Sequence, residues 1–161
     1  MMRKQFKLVY LAMIPFILSG CFKDKEAGYM KNFANGSGFK NLADAPVLFS
    51  NSKITGWDRS GPLYFVADCN NIDDDIKFVN TTSKDRTFID GKNEDFEISV
   101  DNFINENFAD VYSTFEERYK INWDSSYKYY CDSEDYSGDK MIFFKDTELL
   151  FVVAYVMNYK W

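Results

Sequence analysis

Leu149-Leu150-Phe151-Val152-Val153-Ala154-Tyr155-Val156-Met157 is an unbroken run of nine apolar residues, rich in aromatic and β-branched side chains. A strand exposed on one face alternates apolar with polar residues, whereas a strand covered on both faces does not. The run therefore predicts a central strand with packing on each side. As a helix it is too short to cross a bilayer, which takes about 20 residues.

Outward from this run, Lys140 to Phe144 precedes it across Lys145-Asp146-Thr147-Glu148, a polar turn that predicts a hairpin. Tyr127 to Cys131 and Ile121-Asn122-Trp123 read as further strands. Between Asp101 and Lys120 the period changes, with Phe103, Ile104, Phe108, Val111, Tyr112, Phe115 and Tyr119 at helical spacing and Ser99 or Asp101 available as a cap. Upstream, Phe96, Ile98 and Val100 alternate and predict a hairpin with Arg86 to Ile89 across Asp90-Gly91-Lys92-Asn93. Ile76, Phe78 and Val79 suggest a strand, as do Leu63 to Ala67 after the turn cluster Trp57 to Pro62, and Val47 to Phe49. The expected fold is α+β, a mostly antiparallel sheet of six or seven strands with one helix, about 101–120, packed on it. That single domain is expected over 47–161. Residues 21–46, rich in Gly, Asn, Lys and Ala around Asn35-Gly36-Ser37-Gly38, read as a flexible tether with a root-mean-square reach of roughly 25 Å.

Charge and chemistry narrow the function classes. The chain of 161 residues has 25 acidic and 19 basic side chains and no histidine. Without histidine it lacks the commonest general base near neutral pH and the commonest metal ligand. The spacing of carboxylates, Lys, Tyr and Ser singles out no catalytic pair, so no enzyme and no cofactor is expected. Asp73-Asp74-Asp75 lies in the polar loop Asn70 to Asp75, without the alternation and glycine of a calcium loop, and reads as a solvated segment. An aromatic content of 19% favours an ordered core over disorder.

The N-terminus carries a different signal. Arg3, Lys4 and Lys7, with no acid before Cys21, precede the apolar segment Leu8 to Leu18, and Leu18-Ser19-Gly20-Cys21 closes it. This resembles the lipobox and signal peptide of bacterial lipoproteins. Small residues before the cysteine leave room for a peptidase at the backbone. The resemblance implies a signal peptide over 1–20, a diacylglycerol thioether on Cys21, cleavage before it, and acylation of the new amine. Two or more acyl chains hold a protein stably to a membrane, whereas one holds it marginally. Phe22 stands where, in that family, aspartate favours retention in the inner membrane, so the resemblance implies the periplasmic face of an outer membrane.

Removal of residues 1–20 takes three basic residues and no acid, leaving a formal charge of −9. Such a surface repels phosphate backbones and anionic headgroups. Nucleic acid is thus an unexpected partner, the membrane is reached through the lipid on Cys21, and a basic protein is a suitable partner. With Cys21 acylated, Cys69 and Cys131 remain in a compartment where disulfides persist, and a bridge between them is expected. Two buried thiols or a redox pair are the other readings, neither favoured by a CxxC spacing.

Ser60-Gly61-Pro62-Leu63-Tyr64 is similar to the SGxxY loop of bacterial C-type lysozyme inhibitors, which implies binding by Ser60, Gly61 and Tyr64. Against it stand Pro62, which stiffens the loop, and the 101–120 helix, which those all-β inhibitors are expected to lack. A broader resemblance, in size, anchor and acidity, is to immunity lipoproteins that neutralise toxins in the periplasm. The leading expectation is therefore a membrane-anchored protein that binds and neutralises a protein partner. A structural or assembly lipoprotein of the envelope is second.

Overall fold

The computed structural model describes residues 28–54, 60–83, 87–131, 140–145 and 148–156. Its six strands are β1 (Val47–Ser52), β2 (Gly61–Asp68), β3 (Ile89–Asp90), β4 (Tyr127–Cys131), β5 (Lys140–Lys145) and β6 (Leu149–Val156). They pair antiparallel throughout in the order β1-β2-β6-β5-β4-β3. The helices are α1 (28–37), the single turn α2 (Asp74–Lys77) and α3 (Glu94–Tyr112). The α+β class and the antiparallel pairing agree with the sequence reading.

The apolar run forms β6, between β2 and β5, and the reason for its lack of alternation is visible on both faces. Leu150, Val152 and Ala154 point to one face, together with Leu63, Phe65 and Ala67 of β2 and with Tyr29, Met30, Phe33 and Ala34 of α1. Phe151 and Val153 point to the other, together with Tyr64 and Val66 and with Phe96, Val100, Ile104 and Phe108 of α3. The sheet is thus the middle of three layers.

Several expected elements differ. The helix runs over 94–112 rather than 101–120, and Phe96 to Val100 is its opening, not a strand. Phe96, Val100, Ile104 and Phe108 are buried at four-residue intervals, whereas Ile98 is 49% exposed. Ile98 completed the apparent alternation, yet it lies on the wet side. Asn93 starts the helix, its Oδ1 accepting from the Phe96 amide at 2.9 Å. At the other end Phe115 and Tyr119 are buried beyond the helix, on a turn and the 3₁₀ segment Glu117–Tyr119. Ile76 to Val79, expected as a strand, contains the α2 turn, where the Asp73 carboxylate caps the Asp75 amide at 2.8 Å. Ile121-Asn122-Trp123 forms no strand, and Ile89–Asp90 is a two-residue edge strand on β4.

The tether expected over 21–46 is folded from residue 28 onward. Tyr29, Met30, Phe33 and Ala34 are spaced for one helix face and are buried against β2. Gly38, at φ +85°, ends α1, and its amide donates to the Ala34 carbonyl at 3.1 Å. Phe39 and Leu42, the latter on the 3₁₀ turn Lys40–Leu42, continue the same buried cluster. A buried Asn80 locks this corner. Its Nδ2 donates to the Ser37 carbonyl at 3.0 Å, and its Oδ1 accepts from the Thr82 amide, the Thr82 hydroxyl and the Ser83 amide, each at 2.9 Å. Apolar burial at helical spacing outweighs the Gly and Asn content that suggested a coil.

Candidate interaction surface

The residues singled out from the sequence do not converge on one site. Cys21 and the whole signal segment lie outside the described residues. Gly61 opens β2, where a Cβ would stand 2.5 Å from the Lys53 carbonyl oxygen, so the glycine permits close approach of backbone within the fold. Ser60 precedes it in an isolated bridge.

Tyr64 is fully buried. Its ring sits among Phe49, Phe108, Tyr112 and Phe115 at centroid distances of 5.4–6.1 Å, and its hydroxyl donates to the Tyr119 carbonyl. Burial raises its pKa well above the ordinary tyrosine value, so the hydroxyl stays protonated as a donor. A side chain in this position cannot enter another protein's cleft, which overturns the lysozyme-inhibitor loop.

The expected Cys69–Cys131 bridge is also overturned. Cys131 pairs with Met141, Met141 with Val153 and Val153 with Tyr64, which places Cys131 three strands away and level with Tyr64. Cys69 lies five residues further along the chain from Tyr64, and it packs on the α1 face, whereas Cys131 packs on the α3 face. At about 3.3 Å per residue and 4.8 Å per strand the two are about 20 Å apart. A disulfide needs Cα atoms within about 7 Å. Burial pushes the Cys69 thiol up to about 12, partly offset by Lys77.

What the fold does display is the outer side of α3. Over Glu94–Tyr112 the helix carries Glu94, Asp95, Glu97, Asp101, Glu106 and Asp110, and no basic residue. Glu94, Asp95, Asp101, Glu106 and Asp110 are exposed, and Ile98 stands among them half in water. Part of this pattern serves the helix itself, because acids in the first turn oppose the positive end of its dipole. Others hold neighbours. Lys53 Nζ meets Asp110 at 2.6 Å, and this hydrogen bond holds the Asp110 carboxyl below the ordinary aspartate range. Trp123 Nε1 donates to both Asp101 oxygens at 3.1 and 3.3 Å, yet partial burial raises the Asp101 pKa.

The buried Tyr127 hydroxyl donates to Glu97 at 2.8 Å and accepts from the Asn93 amide at 2.8 Å. Burial, reinforced by Glu97, raises its pKa to about 12. The sequence reading divided this acidic stretch between a hairpin and a helix cap, so its continuity along one face went unseen. A four-residue count from Phe96 would have revealed it.

Among the described residues no three Cys, Asp or Glu side chains come together as a metal cluster, and no helix is long and apolar enough to cross a membrane. No protein-family model, curated protein or solved structure matches the chain.

Proposed function

We propose that this is a lipoprotein of the cell envelope, anchored through Cys21, that binds and neutralises a basic protein partner on the outer side of α3. The observation that carries the reading is the sign of that face: five exposed acids, and no basic residue of the helix itself, over nineteen helical residues, with Ile98 exposed among them. Apolar side chains ringed by charge are the usual anatomy of a protein contact, since the charges steer encounter and the apolar group excludes water. The anchor rests on the lipobox and its basic, acid-free flank. Neutralisation rests on the general likeness to immunity lipoproteins in size, acidity and lack of catalytic spacing.

The test is capture of partners from envelope extracts with the detergent-solubilised chain and with its Glu94→Lys/Glu106→Lys variant. A partner retained by the wild type, released as salt rises and missed by the variant supports the reading. Exposed charges are screened beyond about 8 Å at physiological ionic strength, so salt sensitivity belongs to this mode of binding. A partner held equally by both proteins in high salt refutes it.

A further inference from the structure

We infer that the lipid anchor holds the domain on the bilayer by the corner where α1 begins, so that the opposite end of the sheet faces away from the membrane. The inference rests on the proposed acylation of Cys21 and adds the orientation that the fold then imposes. A tether running to residue 46 would let the domain turn freely above the headgroups. Residue 28 is already in helix α1, so at most seven chain steps separate Cys21 from the folded part. Fully extended, these span about 24 Å, and as a coil about 15 Å.

The position of α1 identifies the corner. The Tyr29 and Ser52 hydroxyls are 3.1 Å apart and hydrogen-bonded, and Tyr29 stacks on Phe65 with centroids 6.5 Å apart. Ser52 is the last residue of β1, its partner Leu63 lies near the start of β2, and Gly61 pairs with Val156 at the end of β6. The anchored corner is therefore one end of the sheet. The other end carries Asp68 and Leu149, which are paired, and the Cys69 amide donates to the Glu148 carbonyl at 2.8 Å. Along β2 the two ends, Gly61 and Asp68, are seven residues apart, or about 23 Å.

Charge favours the same orientation independently. At the anchored corner stand Lys31, and Lys53 paired with Asp110. Around the far end stand Asp44, Asp68, Asp73, Asp74, Asp75 and Glu148 against Lys40, the buried Lys77 and Lys145, whose backbone pairs with Leu149. A bilayer with anionic headgroups repels the second set over roughly a Debye length. The leash sets how near the corner must come, and this repulsion sets which end turns away.

The test uses the full acylated chain, reconstituted in phosphatidylethanolamine/phosphatidylglycerol vesicles. A dye is placed at Lys31→Cys or Asn71→Cys in a Cys131→Ser background, with Cys69 shielded by burial, and energy transfer to a headgroup-bound acceptor is measured. Lys31 should report a distance to the headgroup plane shorter by about 20 Å, from the strand length. Inserting twenty Gly/Ser residues between Ala27 and Gly28 should shrink that difference. Equal distances, or a shorter one from Asn71, overturn the orientation while leaving the anchor standing. If the Cys21→Ser chain binds the vesicles as well as the acylated one, the anchor fails and the orientation with it.

Discussion

Tyr64 is the position at which the loop and core readings of Ser60 to Tyr64 differ most in outcome. Tyr64→Phe removes only the hydroxyl and leaves the Tyr119 carbonyl without this donor inside a fully buried aromatic cluster. Stranding a buried acceptor costs about 1–3 kcal/mol. Tyr64→Ala also removes the ring from contact with Phe49, Phe108, Tyr112 and Phe115. Truncating a buried aromatic costs about 3–5 kcal/mol. Against a total stability of about 5–15 kcal/mol, the first variant should fold and the second should be marginal. In equilibrium urea unfolding followed by circular dichroism, a slope of about 2 kcal/mol per molar places the Tyr64→Phe midpoint about 1 M below wild type and Tyr64→Ala about 2 M below. A side chain displayed at a loop tip would change stability by at most about 0.5 kcal/mol in either variant. If both midpoints stay within about 0.3 M of wild type, by that slope, the burial argument fails.

Three further outcomes follow from particular contacts. Gly38→Ala should destabilise more than Gly91→Ala, because both glycines have positive φ but a Cβ at Gly38 would stand 2.1 Å from Thr82 Oγ1 and 2.5 Å from Asn80 Oδ1, whereas at Gly91 nothing lies within 4 Å. Thermal melts would show the ordering, with backbone strain of about 1–3 kcal/mol common to both and lost hydrogen bonds added only at Gly38. Cys69 should resist iodoacetamide in the native protein at pH 8 and react once the chain is unfolded, and the unreduced protein should have the mass of two thiols; a mass two units lower would contradict the strand register. Asp101 binds its proton more tightly folded than unfolded, so its contribution to stability falls as pH rises from the ordinary aspartate value through the raised one. Asp101→Asn, which keeps an acceptor for Trp123, should flatten that fall in urea midpoints measured across the acid range; an unchanged slope would show that Asp101 is not its source.

Which parts of the fold were legible depended on whether one period could be told from another. β6 was readable because nine apolar residues without alternation admit one answer once length excludes a membrane span. The start of α3 was not, because Phe96, Ile98 and Val100 satisfy a two-residue period while Phe96, Val100, Ile104 and Phe108 satisfy a helical one. The competing signal was Asn93 followed by acids at 94, 95 and 97, a cap and first turn that the strand reading left unexplained. The cysteines were misread for another reason: an even count speaks to compartment, whereas pairing depends on register, and register is a property of the assembled sheet.

The segment after Cys21 shows how far such an error travels into function. Glycine and asparagine around residues 35–38 suggested coil, although Gly38 is a helix end and Ser37 donates to the Phe33 carbonyl at 2.8 Å within the same turn. Tyr29, Met30, Phe33 and Ala34 held the contrary signal, an apolar stripe at helical spacing. A composition average weighs all positions equally, whereas burial is decided by the few that share a face. Read by composition, the anchor leads to a freely turning domain whose binding face could be anywhere. With the stripe placed on β2, at most seven chain steps separate the proposed lipid on Cys21 from the fold, and the surfaces within a partner's reach become a matter of geometry. The outer side of α3 runs from Asn93, capped against Tyr127 and Tyr129, to Asp110 at the Lys53 corner. A soluble partner approaching from outside would therefore meet its Glu94 end more freely than its Asp110 end. Charge reversal at Glu94 should then weaken capture by the membrane-bound protein more than reversal at Asp110, and equal effects would separate the binding face from the orientation.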